Sequence, residues 1–151
     1  MIPTFMGRLQ TRIFLVLFIA LPWTLIVTPF LPGNRGNADG SVAADLYPVT
    51  LSVLAIVLVI GLVLWEPIYH LLQLTRWEKD WPAMFFMVEL IPEAILAWYV
   101  FKWIGPSSDV ATLSTYLWHI IPTWIIMWLF VLGPIKTLFI RWRFNGGRIF
   151  F

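Results

Sequence analysis

The chain has 151 residues, of which 60% are hydrophobic and only 12% are charged, and it contains no cysteine. Soluble domains carry about 25% charged residues, so this composition indicates an integral membrane protein. The absence of cysteine excludes thiol chemistry, and a net charge of +2 is too small for a broad nucleic-acid-binding face.

Four apolar stretches separated by short polar connections predict an all-α integral membrane protein with a four-helix transmembrane bundle. The bundle is expected to form one domain over residues 1–140, with spans at about residues 12–32, 48–74, 82–104 and 113–136. Pro22 lies inside the first span and predicts a kink there. Residues 141–151 follow the last span as an aromatic and basic interfacial tail.

The connections between the spans predict loops rather than binding sites. Residues 33–45 are rich in Gly, Asn and Asp, as flexible loops are. In register with a calcium-binding loop, the first and last ligand positions fall on Arg35 and Leu46, so no metal site is expected. Residues 76–81 hold charged residues between two tryptophans, which predicts an interfacial hairpin.

Five titratable side chains within the predicted spans form the candidate site: Glu66, His70, Glu89, Glu93 and His119. A carboxylate in hydrocarbon is costly unless it is protonated, paired or hydrated. Glu89 and Glu93 are four residues apart, so their Cβ atoms share one helical face at about 6 Å. Two interpretations remain open. In the first, the five groups form a ladder that relays protons across the bilayer. In the second, the acids are protonated or hydrogen-bonded to a Trp, His or Thr and hold the helices together.

The same residues do not predict catalysis, a metal or a cofactor. Di-iron bundles use Glu-x-x-His, whereas three residues separate Glu66 from His70. His70 and His119 are expected near opposite membrane faces, which does not suit two ligands of one haem. No nucleophile motif, nucleotide loop or catalytic triad pattern is present, so an enzyme is not expected. Trp124, in the middle of the fourth span, is expected to contact a partner helix, a bound lipid or a pigment-like ligand, and packing against a helix is the favoured interpretation.

The tail alternates cations with aromatic residues: Arg141, Trp142, Arg143, Phe144 and, after a turn, Arg148. This alternation predicts an interfacial strand or hairpin with its arginines on anionic lipid headgroups. It also suits strand addition to a partner protein. The tail is therefore a candidate for lipid or partner docking.

The lysines and arginines predict the orientation of the chain. Eight of the 10 fall on one side of the predicted membrane, and they are Arg8, Arg12, Arg76, Lys79, Lys136, Arg141, Arg143 and Arg148. Arg35 and Lys102 fall on the other side. Both termini are therefore expected to be cytoplasmic, in a bacterial-type inner membrane or an internal membrane.

These features predict a non-catalytic membrane subunit or anchor of a larger assembly. Its partners would be the lipid bilayer, including anionic lipids, and other membrane subunits or further copies of this chain. The alternative is a small oligomeric transporter or channel that moves protons or cations with Glu89 and Glu93. If the acids are structural, replacing both with glutamine should leave assembly near native.

Overall fold

The computed structural model describes residues 4–32, 46–75, 85–105 and 111–150, and most of them are helical. The four long helices are α1 (Phe5–Phe30), α2 (Tyr47–Thr75), α3 (Phe85–Ile104) and α4 (Leu113–Leu132). Two short helices follow, α5 (Pro134–Leu138) and α6 (Ile140–Phe144). No strand occurs within these ranges, which confirms the all-α prediction, and α6 takes the place of the strand expected in the tail.

Within the described ranges, three helical stretches are long and apolar enough to cross a membrane: Phe5–Phe30, Tyr47–Thr75 and Leu113–Leu138. A helix of 26 residues, such as the first, is about 39 Å long and exceeds a hydrocarbon core of about 30 Å. The chain therefore has the helices of a multi-pass membrane protein. Helix α3 has 20 residues but includes Glu89, Glu93 and Lys102, and it is not among the three.

The first helix begins before the predicted start of the first span. Helix α1 begins at Phe5 instead of residue 12, because the Thr4 side chain accepts a hydrogen bond from the Gly7 N–H at 3.1 Å and caps the first turn. Arg8 and Arg12 consequently belong to the helix and do not precede it. The predicted loop over residues 33–45 and the hairpin over 76–81 lie outside the described residues.

Two of the helices accommodate a proline through a π-helical turn. In α1 the turn spans Val16–Ala20, and in α2 it spans Gly61–Trp65. The residue after each turn donates its N–H five residues back, and the next residue is the proline, Pro22 or Pro67. The extra residue in each π-helical turn lets the helix continue although the proline has no N–H to donate. It also rotates the residues that follow the turn, and in α2 these include Glu66.

Helices α3 and α4 are joined through side chains of α4 that reach the backbone of α3. Trp124 is 2% exposed, packs against the Phe86 ring with centroids 5.3 Å apart, and donates from Nε1 to the Phe86 carbonyl at 2.8 Å. The Tyr116 hydroxyl donates to the Ala94 carbonyl at 2.7 Å. Trp124 therefore packs against a neighbouring helix, as the sequence predicts.

After α6 the chain turns back across the first turns of α1. Gly146 and Gly147 have φ angles of 60° and 84°, a backbone region that favours glycine. A Cβ atom on Gly7 would lie 2.8 Å from the Gly147 carbonyl carbon, so the two backbones can touch because Gly7 has no side chain. The Thr4 N–H donates to the Gly146 carbonyl at 2.8 Å.

Side chains of α1 complete this contact, which we call the terminal clasp. Trp142 Nε1 donates to the Thr11 hydroxyl at 2.8 Å, and Gln10 Oε1 accepts the Ile149 N–H at 2.9 Å. The clasp holds the first described residues of the chain against its last ones.

Candidate functional site

Five charged side chains from three helices meet at the end of the bundle where α1 begins. We call them the charge cluster, and they are Arg8 and Arg12 of α1, Glu66 of α2, and Glu89 and Glu93 of α3. All are buried or nearly so: Arg8 is the most exposed, with 11% of its side chain accessible. Because a buried charge is costly unless it is paired, each of these side chains can stay charged only beside a side chain of opposite charge.

Arg12 is the centre of the cluster. Its Nε donates to Glu66 Oε1 at 2.7 Å, while Nη1 and Nη2 donate to the two oxygens of Glu93, each at 2.7 Å. This paired geometry matches the planar guanidinium to the carboxylate and gives a strong, directional bond. Arg12 therefore ties α1 to both α2 and α3.

Glu66 bridges the two arginines. Its Oε1 accepts from Arg12, and its Oε2 accepts from Arg8 Nε at 2.7 Å. The second contact of Arg8 is longer, at 3.4 Å from Nη2 to Glu89 Oε1. Acidic and basic side chains thus alternate in the order Glu93, Arg12, Glu66, Arg8 and Glu89. The contact between Arg8 and Glu89 is the longest and therefore the weakest.

Residue spacing explains how the arginines of α1 and the glutamates of α3 come to face each other. Arg8 and Arg12 are four residues apart, and so are Glu89 and Glu93, so each pair lies on one face of its helix. Helices α1 and α3 both begin at this end and run in the same direction. The two pairs therefore face each other in register, and Glu66 enters from the antiparallel helix α2.

Gly61, the first residue of the π-helical turn before Glu66, makes room for Arg12. A Cβ atom there would lie 2.7 Å from Arg12 Cζ and 2.8 Å from Cδ. Such distances are too short for carbon atoms in contact. The absence of a side chain at Gly61 is therefore part of how the guanidinium is seated.

Replacing Gly61 with alanine should lower the free energy of unfolding by about 1 to 3 kcal/mol, because the new methyl group displaces Arg12 from its two carboxylates. Gly133→Ala is the matched control, since its Cβ would lie 3.8 Å from the nearest atom, the Leu129 carbonyl oxygen. Detergent unfolding followed by circular dichroism measures both. Equal stability of the two variants would contradict the packing of Arg12 over Gly61.

The structure brings together three of the five predicted site residues, Glu66, Glu89 and Glu93. His70 packs against the Phe5 ring with centroids 5.3 Å apart. His119 bonds through Nε2 to the Thr24 hydroxyl at 3.0 Å. Thr24 lies about 18 Å along α1 from Arg12, so His119 is separated from the charge cluster by more than three helical turns.

His119 belongs to a second buried polar layer in the other half of the bundle. Thr28 and Thr50 join α1 to α2 through their hydroxyls at 2.9 Å, and the Thr123 hydroxyl donates to the His119 carbonyl at 2.6 Å. Apolar side chains lie between the two layers along α1, and they include Leu15, Val16 and Ala20. The polar groups are thus arranged as two layers with an apolar zone between them.

Sequence reasoning missed the arginines of this site because they were counted as charges flanking a span. The signal that could have found them is the repeated spacing of four in Arg8 and Arg12 and in Glu89 and Glu93. Among the predicted tail residues, Trp142 is half-buried in the terminal clasp. The other four are exposed: Arg141, Arg143, Phe144 and Arg148.

In the part of the chain that the structure describes, no group of three or more His, Cys, Asp or Glu residues is arranged to hold a metal ion. The cluster can instead pair charges between helices, and its two guanidiniums face three carboxyls.

Comparison of the chain with protein-family models, with curated proteins and with solved structures finds no match.

Proposed function

We propose that the protein is a non-catalytic integral membrane subunit, an anchor that holds partner subunits in the bilayer. The observation that carries this proposal is the pairing of Glu66 and Glu93 with arginines in the charge cluster. Glu66 and Glu93 each accept two hydrogen bonds of 2.7 Å from arginines of the same chain. Carboxylates held in this way fix helices against one another, whereas a transported ion needs groups that release it.

A four-span topology with both termini on one side belongs to this proposal. The terminal clasp supports it, because the segments before α1 and after α4 must lie on the same side if Thr4 bonds to Gly146. Such a chain crosses the membrane an even number of times, so α3 would be the fourth crossing beside the three apolar helices. Its acids are compatible with that role because Arg8 and Arg12 pair with them. The cationic tail favours the cytoplasmic side.

The surface proposed for the partner subunit is aromatic. Tyr99 and Trp103 of α3 are 68% and 85% exposed, and Trp118 of α4 is 64% exposed. Large aromatic side chains are enriched where proteins bind one another. The partner is another membrane subunit or a second copy of this chain, in a bacterial-type inner membrane or an internal membrane.

Extraction from native membranes in a mild detergent should yield a stoichiometric assembly that is larger than one chain. Replacing Tyr99 and Trp103 with alanine should release the chain from it, because the aromatic contact area is lost. Replacing Phe30 and Val63, which are 81% and 74% exposed on other helices, is the matched control. Size-exclusion chromatography with light scattering measures the mass. A single chain as the native species would contradict the proposal.

A proton- or cation-coupled transporter is the second candidate, and one observation favours it. Two guanidiniums face three carboxyls, and among the residues that the structure describes Glu89 is held by the 3.4 Å contact with Arg8 alone. One carboxyl of the cluster is therefore available for a proton or a cation. In liposomes, flux driven by a pH gradient that disappears in Glu89→Gln would favour transport over anchoring. We expect no such flux from the purified protein.

A further inference from the structure

The last described segment of the chain is strongly cationic. Lys136, Arg141, Arg143 and Arg148 are all exposed, and residues 111–151 contain no aspartate or glutamate. Arg8 and Arg12, at the same end of the bundle, are neutralised within the charge cluster. Among the described residues at this end, the positive charge without an acidic partner in the charge cluster therefore lies on the surface formed by the tail.

This segment also exposes apolar side chains between its cations. Leu138, Ile140, Phe144 and Phe150 are 69%, 69%, 71% and 52% exposed. Arg143 lies over the Phe144 ring, with its Cζ 5.5 Å from the ring centroid. Alternating exposed cations and apolar groups match the boundary between headgroups and acyl chains, where arginine reaches phosphate and aromatic groups contact lipid tails.

The terminal clasp keeps this surface in a fixed arrangement. Trp142 and Ile149 point into the bundle, where Ile149 is 6% exposed and Trp142 bonds to Thr11. The Arg141 guanidinium donates to the Phe150 carbonyl at 2.8 Å. The apolar candidate span ends at Leu138, immediately before the arginines. The cations are thus held at the level where headgroups begin.

We propose that Lys136, Arg141, Arg143 and Arg148 form a binding surface for the phosphate headgroups of anionic phospholipids. Guanidinium groups donate several hydrogen bonds to phosphate oxygens, and the nearby apolar residues contact the acyl chains of the same lipids. An acidic protein would match the cations but not the apolar groups between them, so the lipid is the better fit. The inference requires only that the chain resides in a membrane, and it holds for an anchor and for a transporter.

The test compares the purified full chain in nanodiscs of phosphatidylglycerol and of phosphatidylcholine, with retained lipid counted by native mass spectrometry. The wild-type chain should retain phosphatidylglycerol and release phosphatidylcholine. Replacing Arg143 and Arg148 with glutamine should weaken retention of the anionic lipid by roughly 25-fold, since each cation near a membrane contributes about a five-fold factor. The same positions replaced with lysine are the matched control and should retain most of the binding.

Four results would overturn the proposal. The first is equal retention of both lipids by the wild-type chain. The second is unchanged retention in the glutamine variant when its helical circular dichroism is also unchanged. The third is displacement of the lipid by millimolar inorganic phosphate, which would indicate a site for free phosphate. Loss of a stoichiometric protein partner in the glutamine variant, with its lipid preference intact, would assign the surface to a protein.

Discussion

Replacing Arg12 with glutamine is expected to lower the free energy of unfolding by about 3 to 5 kcal/mol, the largest effect of any single change in the charge cluster. Arg12 makes three hydrogen bonds of 2.7 Å, two to Glu93 and one to Glu66. Its loss leaves two buried carboxylates without their shared cation. Removing one partner of a buried ion pair costs more than the intact pair contributes, because the remaining charge is no longer compensated.

Unfolding in mixed micelles of a mild detergent and dodecyl sulfate, followed by circular dichroism, measures this change. Arg143→Gln is the control, because Arg143 is exposed and outside the cluster, and it should stay within about 0.5 kcal/mol of the wild type. Arg12→Gln with wild-type stability would mean that the ion pairs do not hold α1, α2 and α3 together.

The two acids of α3 should respond very differently to glutamine. Glu93→Gln should lower the free energy of unfolding by about 3 kcal/mol, because it removes the negative charge to which Arg12 donates two short hydrogen bonds. Glu89→Gln should cost less than about 1 kcal/mol, since it loses one contact of 3.4 Å. The Glu89→Gln variant also keeps two carboxylates for two guanidiniums, so the charges of the cluster balance.

The same unfolding measurement tests this pair of variants, and each serves as the control for the other. Glu93→Gln and Arg12→Gln should also be strongly non-additive, because they act on one ion pair. Equal costs for the two glutamates would contradict the unequal geometry. The structure also changes the sequence-based expectation that glutamine is tolerated at both positions, because the partners are guanidiniums and not neutral hydrogen-bonding groups.

The helical class and the position of Trp124 could be predicted because both depend on local apolar pattern. The start of α1 could not be predicted from hydropathy alone. Cations beside an apolar run normally lie in water, and only partners 54 to 81 residues away make Arg8 and Arg12 tolerable inside the bundle. Local sequence carries no information about such distant partners except through matched spacing.

Which neighbour each helix face contacts could not be predicted from the sequence either. The π-helical turn over Gly61–Trp65 rotates Glu66, so depth estimated from a regular helix does not tell which neighbour it meets. His119 was grouped with the acids because it is titratable, but it bonds to Thr24 in a separate layer. The terminal clasp joins residues that are 142 apart and was not predicted either, although the glycines on both sides of it are visible in the sequence.

The pairing of the first helix with acids of later helices has a consequence for how the protein is made. Arg12 leaves the ribosome 54 residues before Glu66 and 81 residues before Glu93. An arginine within an isolated span disfavours insertion, by about 2.5 to 3.5 kcal/mol at the centre of the span and by less toward its ends. Newly made α1 therefore lacks its counter-ions until α2 and α3 arrive. Its two arginines should stay near the headgroups until then, so that α1 reaches its final depth only as part of the three-helix unit.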